Sequence, residues 1–352
     1  MVNQKIRKAE YFTYVYIKLG YECNGGCVYC AQKGYKKENL KYNPDIVEYI
    51  AKLSAVSRKC TADKLKIVFY GGEPLIYFDM MKKIILGLYE HNDFIRDNVS
   101  LIVMSNGVLL TEVIVDFLNF YNVFFCLGFD APNEETRPVR IHGRQIDLFN
   151  KIVAREIIFV WSNINRSMIK SKIYLENKFG KCNLDPSLCR YIAEDKSCEK
   201  YAIASKEVSR KAFMEMLLYY QTHYTDYFLI QLMNDKYFRN KHGAIYDIEG
   251  NRHYSCDYTS KCGDIYTEGN LKLSEKSKVY SEKCMRCEFS CMCKGSRTSH
   301  MKDGNICECQ VLQYINFLYY KYKDVLFGYV YRDGYVVNDY DGYKVIEKAN
   351  CE

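Results

Sequence analysis

Cys23, Cys27 and Cys30 form a C-x3-C-x2-C run directly after the strand-like segment Tyr11 to Leu19. Thiolates are soft donors suited to iron-sulfur centres. At this spacing they can hold three corners of a 4Fe-4S cluster and leave the fourth iron open to a small-molecule ligand. Gly25 and Gly26 lie inside the loop, where the backbone must bend tightly if three thiolates are to converge. Zinc or three unrelated buried thiols are the competing readings, although zinc loops usually carry C-x2-C pairs.

A second constellation follows the next apolar run. Gly71, Gly72, Glu73 and Pro74 make a turn in which two small residues permit close approach of a ligand and Pro74 fixes the exit direction. The Glu73 carboxylate can hold an ammonium group there. Ser105 and Asn106 follow the third apolar run and Asp130 ends the fourth; Arg137, Arg140 and Arg144 come soon after. Hydroxyls of a sugar need donors and acceptors of this kind, and a carboxylate needs an arginine.

The elements that must carry these residues alternate. YFTYVYIKL, KLKIVFY, VSLIVMS, NVFFCLGF and EIIFVW read as strands, whereas DIVEYIAKL, FDMMKKIILGLYE and TEVIVDFLNF space their apolar residues as helices do. Asp79 and Thr111 are expected near helix starts. Strands alternating with helices predict an α/β fold with a parallel sheet, and every motif above falls at the C-terminal end of a strand, where parallel barrels keep their chemistry. Beyond Tyr174 the pattern loosens; SKEVSRKAFMEMLLYYQTHY reads as a strong helix, VLQYINFLYYKYKD as an amphipathic one, and Asp341-Gly342 as a hairpin turn. From Cys256 to Cys309 cysteines crowd a polar span, as expected of a metal-bound domain rather than a hydrophobic core.

Composition narrows the classes. A chain of 352 residues, 48% hydrophobic, can bury a large core plus a smaller one. Seventeen cysteines without an apolar export segment argue against a disulfide framework and for a reduced, cytoplasmic setting. No apolar stretch approaches bilayer length, so no membrane partner is expected. The net charge of +7 is spread along the chain without a basic arm, so a nucleic-acid partner is not signalled. Thirty-four tyrosines against one tryptophan, amid many Lys and Asn, read as the imprint of an AT-rich genome. The six histidines show no metal spacing, and Cys60, Cys126 and Cys351 need no special role.

The cysteine run, with the aromatic Tyr29 before its last member, resembles the signature of the radical S-adenosylmethionine (SAM) enzymes, and Gly71-Gly72-Glu73-Pro74 resembles their SAM-ammonium motif over all four residues. The resemblance implies a partial (β/α)6 barrel, a SAM-binding 4Fe-4S cluster on Cys23, Cys27 and Cys30, and SAM contacts from Tyr29, Gly71, Gly72, Glu73, Pro74, Ser105, Asn106, Asp130, Arg137 and Arg140. The C-terminal cysteines resemble the SPASM extension, a small auxiliary-cluster domain. Cys256 and Cys262 match its opening pair, Cys284, Cys287 and Cys293 its central run, and Cys309 or Cys307 its last ligand. Ser274 and Arg297 stand where two further thiolates are expected. One auxiliary 4Fe-4S cluster on Cys284, Cys287, Cys293 and Cys309 is therefore implied, unless Cys291 or one of Cys182, Cys189 and Cys198 rescues another. Glu275 lies where sulfatase-maturing relatives carry an acidic general base.

The implied organisation is an N-terminal extension (1–10), the barrel (11–205), a bridging helical region (206–250), the cysteine-rich SPASM-like domain (251–320) and a tail (321–352). The implied chemistry is reductive cleavage of SAM to a 5'-deoxyadenosyl radical that abstracts hydrogen from a peptide or protein side chain. A peptide maturase acting on a ribosomally made precursor is expected, fed by a flavodoxin- or ferredoxin-type electron donor. The stretch before the cysteine loop is short, so leader recognition is expected from a separate protein or the barrel mouth. The rival readings are a sulfatase maturase forming formylglycine, a radical SAM enzyme acting on a small molecule or RNA, and a zinc-stabilised binding protein.

Overall fold

In the computed structural model, residues 14–30, 40–60, 64–188, 200–201, 211, 215, 243–253, 261–265, 335–340 and 343–348 are described. The chain divides into two compact units, the first comprising 1–128, 138–156 and 240–277, the second 129–137, 157–239 and 278–352.

The first unit is built on β1 (Tyr14–Lys18), β2 (Leu65–Tyr70), β3 (Val99–Ser105) and β4 (Phe124–Gly128), each hydrogen-bonded in parallel to the next. Helices α1 (Asp45–Cys60), α2 (Phe78–Glu90) and α3 (Glu112–Phe120) connect them, and α4 (Arg144–Lys151) follows β4. Right-handed crossovers stepping one way along a sheet put their helices on a single face. Side chains show which face that is. Val15, Ile17, Ile67, Phe69, Leu101, Val103, Phe125 and Leu127 are all buried, as are Ile46, Ile50, Ile84, Ile85 and Leu118 of the helices. Of the alternate positions, Tyr14, Tyr16, Lys66, Tyr70, Ser100 and Ile102 are half-buried and Met104 is exposed, whereas Lys18, Val68 and Cys126 are buried. A strand's period of two thus separates an apolar, helix-covered face from a tyrosine-rich, less deeply buried one.

Helix starts obey the expected chemistry. Thr111 caps α3 by accepting the Ile114 N–H at 3.3 Å, and Asp79 lies in the first turn of α2.

Beyond the expected elements, β7 (Gly243–Asp247) pairs in parallel with β1 on the side opposite β2, bringing the end of the segment read as a bridging helix into the sheet. Antiparallel β8 (Asn251–His253) and β9 (Lys261–Asp264) extend it. Asp247 makes the β7–β8 turn, accepting from the Glu249 and Asn251 N–H groups, both at 3.0 Å.

The second unit holds most of β5 (Arg155–Trp161), its neighbour β6 (Asn183–Leu188), helix α5 (Met168–Phe179) and a hairpin of β10 (Tyr335–Tyr340) with β11 (Tyr343–Lys348). Tyr340 stands opposite Tyr343, the register expected of a turn at Asp341-Gly342. Helix α5 was not expected, and its apolar stripe shows why. Lys172 interrupts it on the buried side, with its stem covered and its ammonium 2.7 Å from Glu176. Ser167 caps the helix through the Lys170 N–H at 3.1 Å.

The bridging and C-terminal amphipathic helices lie outside the described residues except at Lys211 and Glu215, both helical. Ser274, Glu275, Arg297 and every cysteine from Cys284 to Cys309 also lie outside them, as do Cys189, Cys198 and Cys256. Among the described residues no helix is long and apolar enough to cross a membrane.

Candidate functional site: the cysteine loop and the turn after strand 2

The loop that carries Cys23, Cys27 and Cys30 leaves β1 and is clamped at once against the turn after β2. The Leu19 N–H donates to the Tyr70 carbonyl at 2.9 Å, the Gly72 N–H to the Gly20 carbonyl at 3.0 Å, and the Glu73 N–H to the Glu22 carbonyl at 2.7 Å. Tyr77 closes the clamp by accepting the Glu22 N–H at 2.8 Å, while its ring fills the space beside Gly20. The two glycines of the turn therefore serve a contact the sequence did not reveal. A Cβ on Gly72 would lie 2.0 Å from the Glu22 carbonyl oxygen, and one on Gly71, at φ +151°, would lie 2.5 Å from the Gly20 oxygen. What comes close to Gly71 and Gly72 is the backbone of the cysteine loop itself.

Glu73 is 2% exposed and fixed from three sides. One carboxylate oxygen accepts the Leu75 N–H at 3.0 Å and the Ser105 hydroxyl at 2.6 Å; the other accepts the Asn106 N–H at 2.8 Å. Pro74 begins a short 3-10 turn, Pro74–Tyr77, with Glu73 as its cap. Its ring has no N–H to leave unsatisfied at that position. Ser105 in turn accepts the Gly107 N–H at 2.9 Å. Glu73 thus ties the ends of β2 and β3 together.

Replacement of Glu73 by Gln is expected to cost about 1–3 kcal/mol of stability, because an amide NH2 cannot accept from a backbone N–H and one buried donor loses its partner. Chemical denaturation of iron-free protein measures it; unchanged stability would remove Glu73 from this network.

Around Cys23 the electrostatics are adverse to a bare thiolate. Burial pushes its pKa up, the Gly25 N–H at 3.2 Å pulls it down, and the nearby Glu73, Cys30 and Cys27 push it up again. Three thiolates beside a carboxylate need a compensating cation, and iron supplies it; the donor set fits a 4Fe-4S cluster in that respect. Among the described residues no three His, Cys, Asp or Glu side chains close on a single metal-ion position. A cuboidal cluster asks less, since each thiolate binds a different iron. Lys18, fully buried at the end of β1, brings its ammonium to 3.2 Å from the Tyr21 ring centre, two residues ahead of Cys23.

Asn106, 6% exposed, reaches back into the cysteine loop and donates from its side chain to Asn24 at 2.7 Å. Arg140 is buried, Tyr29 half-buried, and Pro138 lies against Gly26. In the second unit Asp130 is fully buried. It accepts the Thr136 hydroxyl at 2.8 Å and the Val160 N–H at 3.1 Å, and lies 3.5 Å from the Arg137 guanidinium. Asp130 and Arg137 therefore meet each other. Cys126, read as a small buried residue, is buried and donates to Glu156 at 3.0 Å. Sequence reasoning missed Asn24, Tyr77 and Lys18. The available signals were an amide inside the cysteine run and a charge ending an apolar strand.

The description of the radical SAM superfamily matches residues 17–157, a span that contains the cysteine loop, the Glu73 turn and the ends of β3 and β4. Residues 17–157 thus form a radical SAM region. Over 145 residues, 38% of this chain and 30% of the relative, it is 26% identical to the radical SAM cyclopropyl synthase TigE of Paramaledivibacter caminithermalis. Over 128 residues, 35% of this chain and 41% of the relative, it is 25% identical to an uncharacterized protein of Methanocaldococcus jannaschii. The chain thus spans less than half the length of these curated relatives. The solved structure of anSMEcpe with bound AdoMet and Kp18Cys peptide is similar with a TM-score of 0.65 at 18% identity, covering 90% of this chain and 99% of that one. Streptococcus suis SuiB bound to precursor peptide SuiA is similar with a TM-score of 0.60 at 14% identity, covering 87% and 77%. At such identities the likeness is one of fold.

Proposed function

We propose that this radical SAM enzyme abstracts hydrogen from a side chain of a peptide, most simply a ribosomally made precursor, and so acts as a peptide maturase that forms a crosslink or an oxidised residue. The observation that carries the reading is the clamp between the cysteine loop and the Glu73 turn, which brings a three-thiolate loop and a buried carboxylate to adjacent strand ends. SuiB with its precursor peptide and anSMEcpe with its peptide share the fold, which supports a peptide as the substrate class.

In this reading Cys23, Cys27 and Cys30 hold the cluster and Glu73 accepts the SAM ammonium. When bound, the cluster supplies one electron to SAM, giving methionine and the 5'-deoxyadenosyl radical. The protein's part is orientation and exclusion of water. Ser105 and the Asn106 N–H fix the carboxylate that receives the ammonium. Arg140 is the arginine of the first unit that we assign to SAM binding; Asp130 and Arg137 remain candidates as a pair. An auxiliary 4Fe-4S cluster is assigned to Cys284, Cys287, Cys293 and Cys309, with Glu275 as a candidate proton acceptor.

Anaerobic reconstitution with iron, sulfide and dithionite, followed by assay of 5'-deoxyadenosine and of mass loss in short peptides encoded beside the gene, tests the proposal. Stoichiometric 5'-deoxyadenosine with a peptide lighter by two hydrogens is expected. Conversion of a sulfatase peptide to formylglycine instead would establish the sulfatase-maturase rival. A charge-assisted contact contributes about 1.5–3 kcal/mol, so Glu73→Gln is also expected to weaken SAM binding roughly tenfold to a hundredfold. Calorimetry on the folded fraction reads it, and unchanged affinity would take Glu73 out of the SAM site.

A further inference from the structure

We propose that Asn24 and Asn106 are positioning residues that couple the cysteine loop to the Glu73 carboxylate, so that cluster loading and SAM binding favour one another through a hydrogen-bond link. The inference rests on the reading above of the loop as the cluster site and of Glu73 as the ammonium site.

The link runs through a single residue. The Asn106 backbone N–H donates to Glu73 at 2.8 Å, and its side-chain oxygen accepts the Val108 N–H at 3.0 Å. A backbone N–H can only donate, so the orientation of the Asn106 amide is fixed and its Nδ2 must point the other way. There it meets Asn24 Oδ1 at 2.7 Å, inside the loop between Cys23 and Cys27. The backbone N–H and both ends of the side-chain amide of Asn106 are thus engaged, one on the carboxylate, one on its own turn and one on the loop. Space around the link is closed as well. A Cβ on Gly25 would lie 3.2 Å from Cys23 Sγ and 3.9 Å from Asn106 Nδ2. A shift of the cysteine loop on accepting a cluster is therefore transmitted to Asn106, and through its N–H to the carboxylate. Ser105, bonded to the same carboxylate from the same strand end, keeps Glu73 in place but does not reach the loop.

Three substitutions separate the link from mere structure. Asn24→Ala removes the acceptor. Asn106→Asp keeps the backbone N–H and the acceptor for Val108 but turns a carboxylate oxygen toward Asn24. Asn24→Asp keeps an acceptor for Asn106 and serves as the rescue variant. SAM affinity is measured anaerobically by calorimetry on the full chain, iron-free and cluster-loaded, with iron content recorded for each sample. In the unaltered protein, loading is expected to tighten SAM binding. In Asn24→Ala and Asn106→Asp that gain falls about tenfold, at the upper end of what one hydrogen bond contributes, while the iron-free affinity of Asn24→Ala stays that of the parent and Asn24→Asp keeps the gain.

The proposal is overturned if both disruptive variants keep the full gain per loaded cluster, if the iron-free affinity of Asn24→Ala falls as much as its loaded affinity, or if Asn24→Asp fails as Asn24→Ala does. An unaltered protein that takes up no cluster, or whose SAM affinity ignores loading, would sink the underlying site reading instead of the link.

Discussion

A variant with Cys23, Cys27 and Cys30 all replaced by alanine is expected to form no 5'-deoxyadenosine above the enzyme-free background. The loop would then offer Glu22, Asn24 and Tyr29, oxygen donors ill suited to an iron-sulfur cluster. The fold should survive, because the loop is held by backbone hydrogen bonds to Gly72 and Glu73 rather than by its thiols. Stability within about 1 kcal/mol of the parent is expected, as for surface substitutions away from buried networks. The same variant reports on the C-terminal cysteines. With Ser274 and Arg297 in place of two thiolates, one auxiliary cluster is the proposed complement, and about four irons per chain are then expected to be retained after reconstitution. About eight would mean that spare thiols complete a second auxiliary cluster. Undiminished SAM cleavage would end the assignment of the loop.

The alternation of strands and helices was legible because each element carries its own periodicity. β3 and α2 occupy the stretches expected, β2, β4 and β5 differ only at their ends, and the described part of β1 falls within the stretch read as its strand. The placement of motifs at strand ends was legible too, since it follows from knowing where strands stop. What the sequence hid is non-local. No spacing within Gly71-Gly72-Glu73-Pro74 reveals that Glu22 lies against Gly72, and nothing near Asn24 announces Asn106. The parallel join of β7 to β1 is of the same kind, a pairing of distant segments that local pattern cannot express. Asp130 and Arg137 were read one at a time, and their approach to 3.5 Å within the second unit is a relation that single-residue reasoning does not weigh.

Gly72→Ala is expected to do more damage than its single added methyl suggests. The new carbon would lie 2.0 Å from the Glu22 carbonyl oxygen, 2.5 Å from its carbon and 2.6 Å from the Tyr21 oxygen. These are backbone atoms, which cannot swing aside as a side-chain tip can. Either the Tyr21–Glu22 segment retreats, carrying Cys23 with it, or the Glu73 turn does. Both movements break the 2.7 Å bond from the Glu73 N–H to Glu22. Overpacking of this kind costs about 1–3 kcal/mol. The larger effect falls on chemistry, because a displacement of about 1 Å between reacting groups can cost roughly a hundredfold in rate. Gly87→Ala serves as the control: the atoms nearest its Cβ would be those of the Val47 side chain, from 3.3 Å, and alanine suits a helix interior better than glycine. SAM cleavage rates and denaturation midpoints of the two variants should therefore diverge, with Gly87→Ala near the parent. If Gly72→Ala matched the parent in both, the cysteine loop would not rest on the turn after β2, and the clamp would have to be abandoned together with the site built on it.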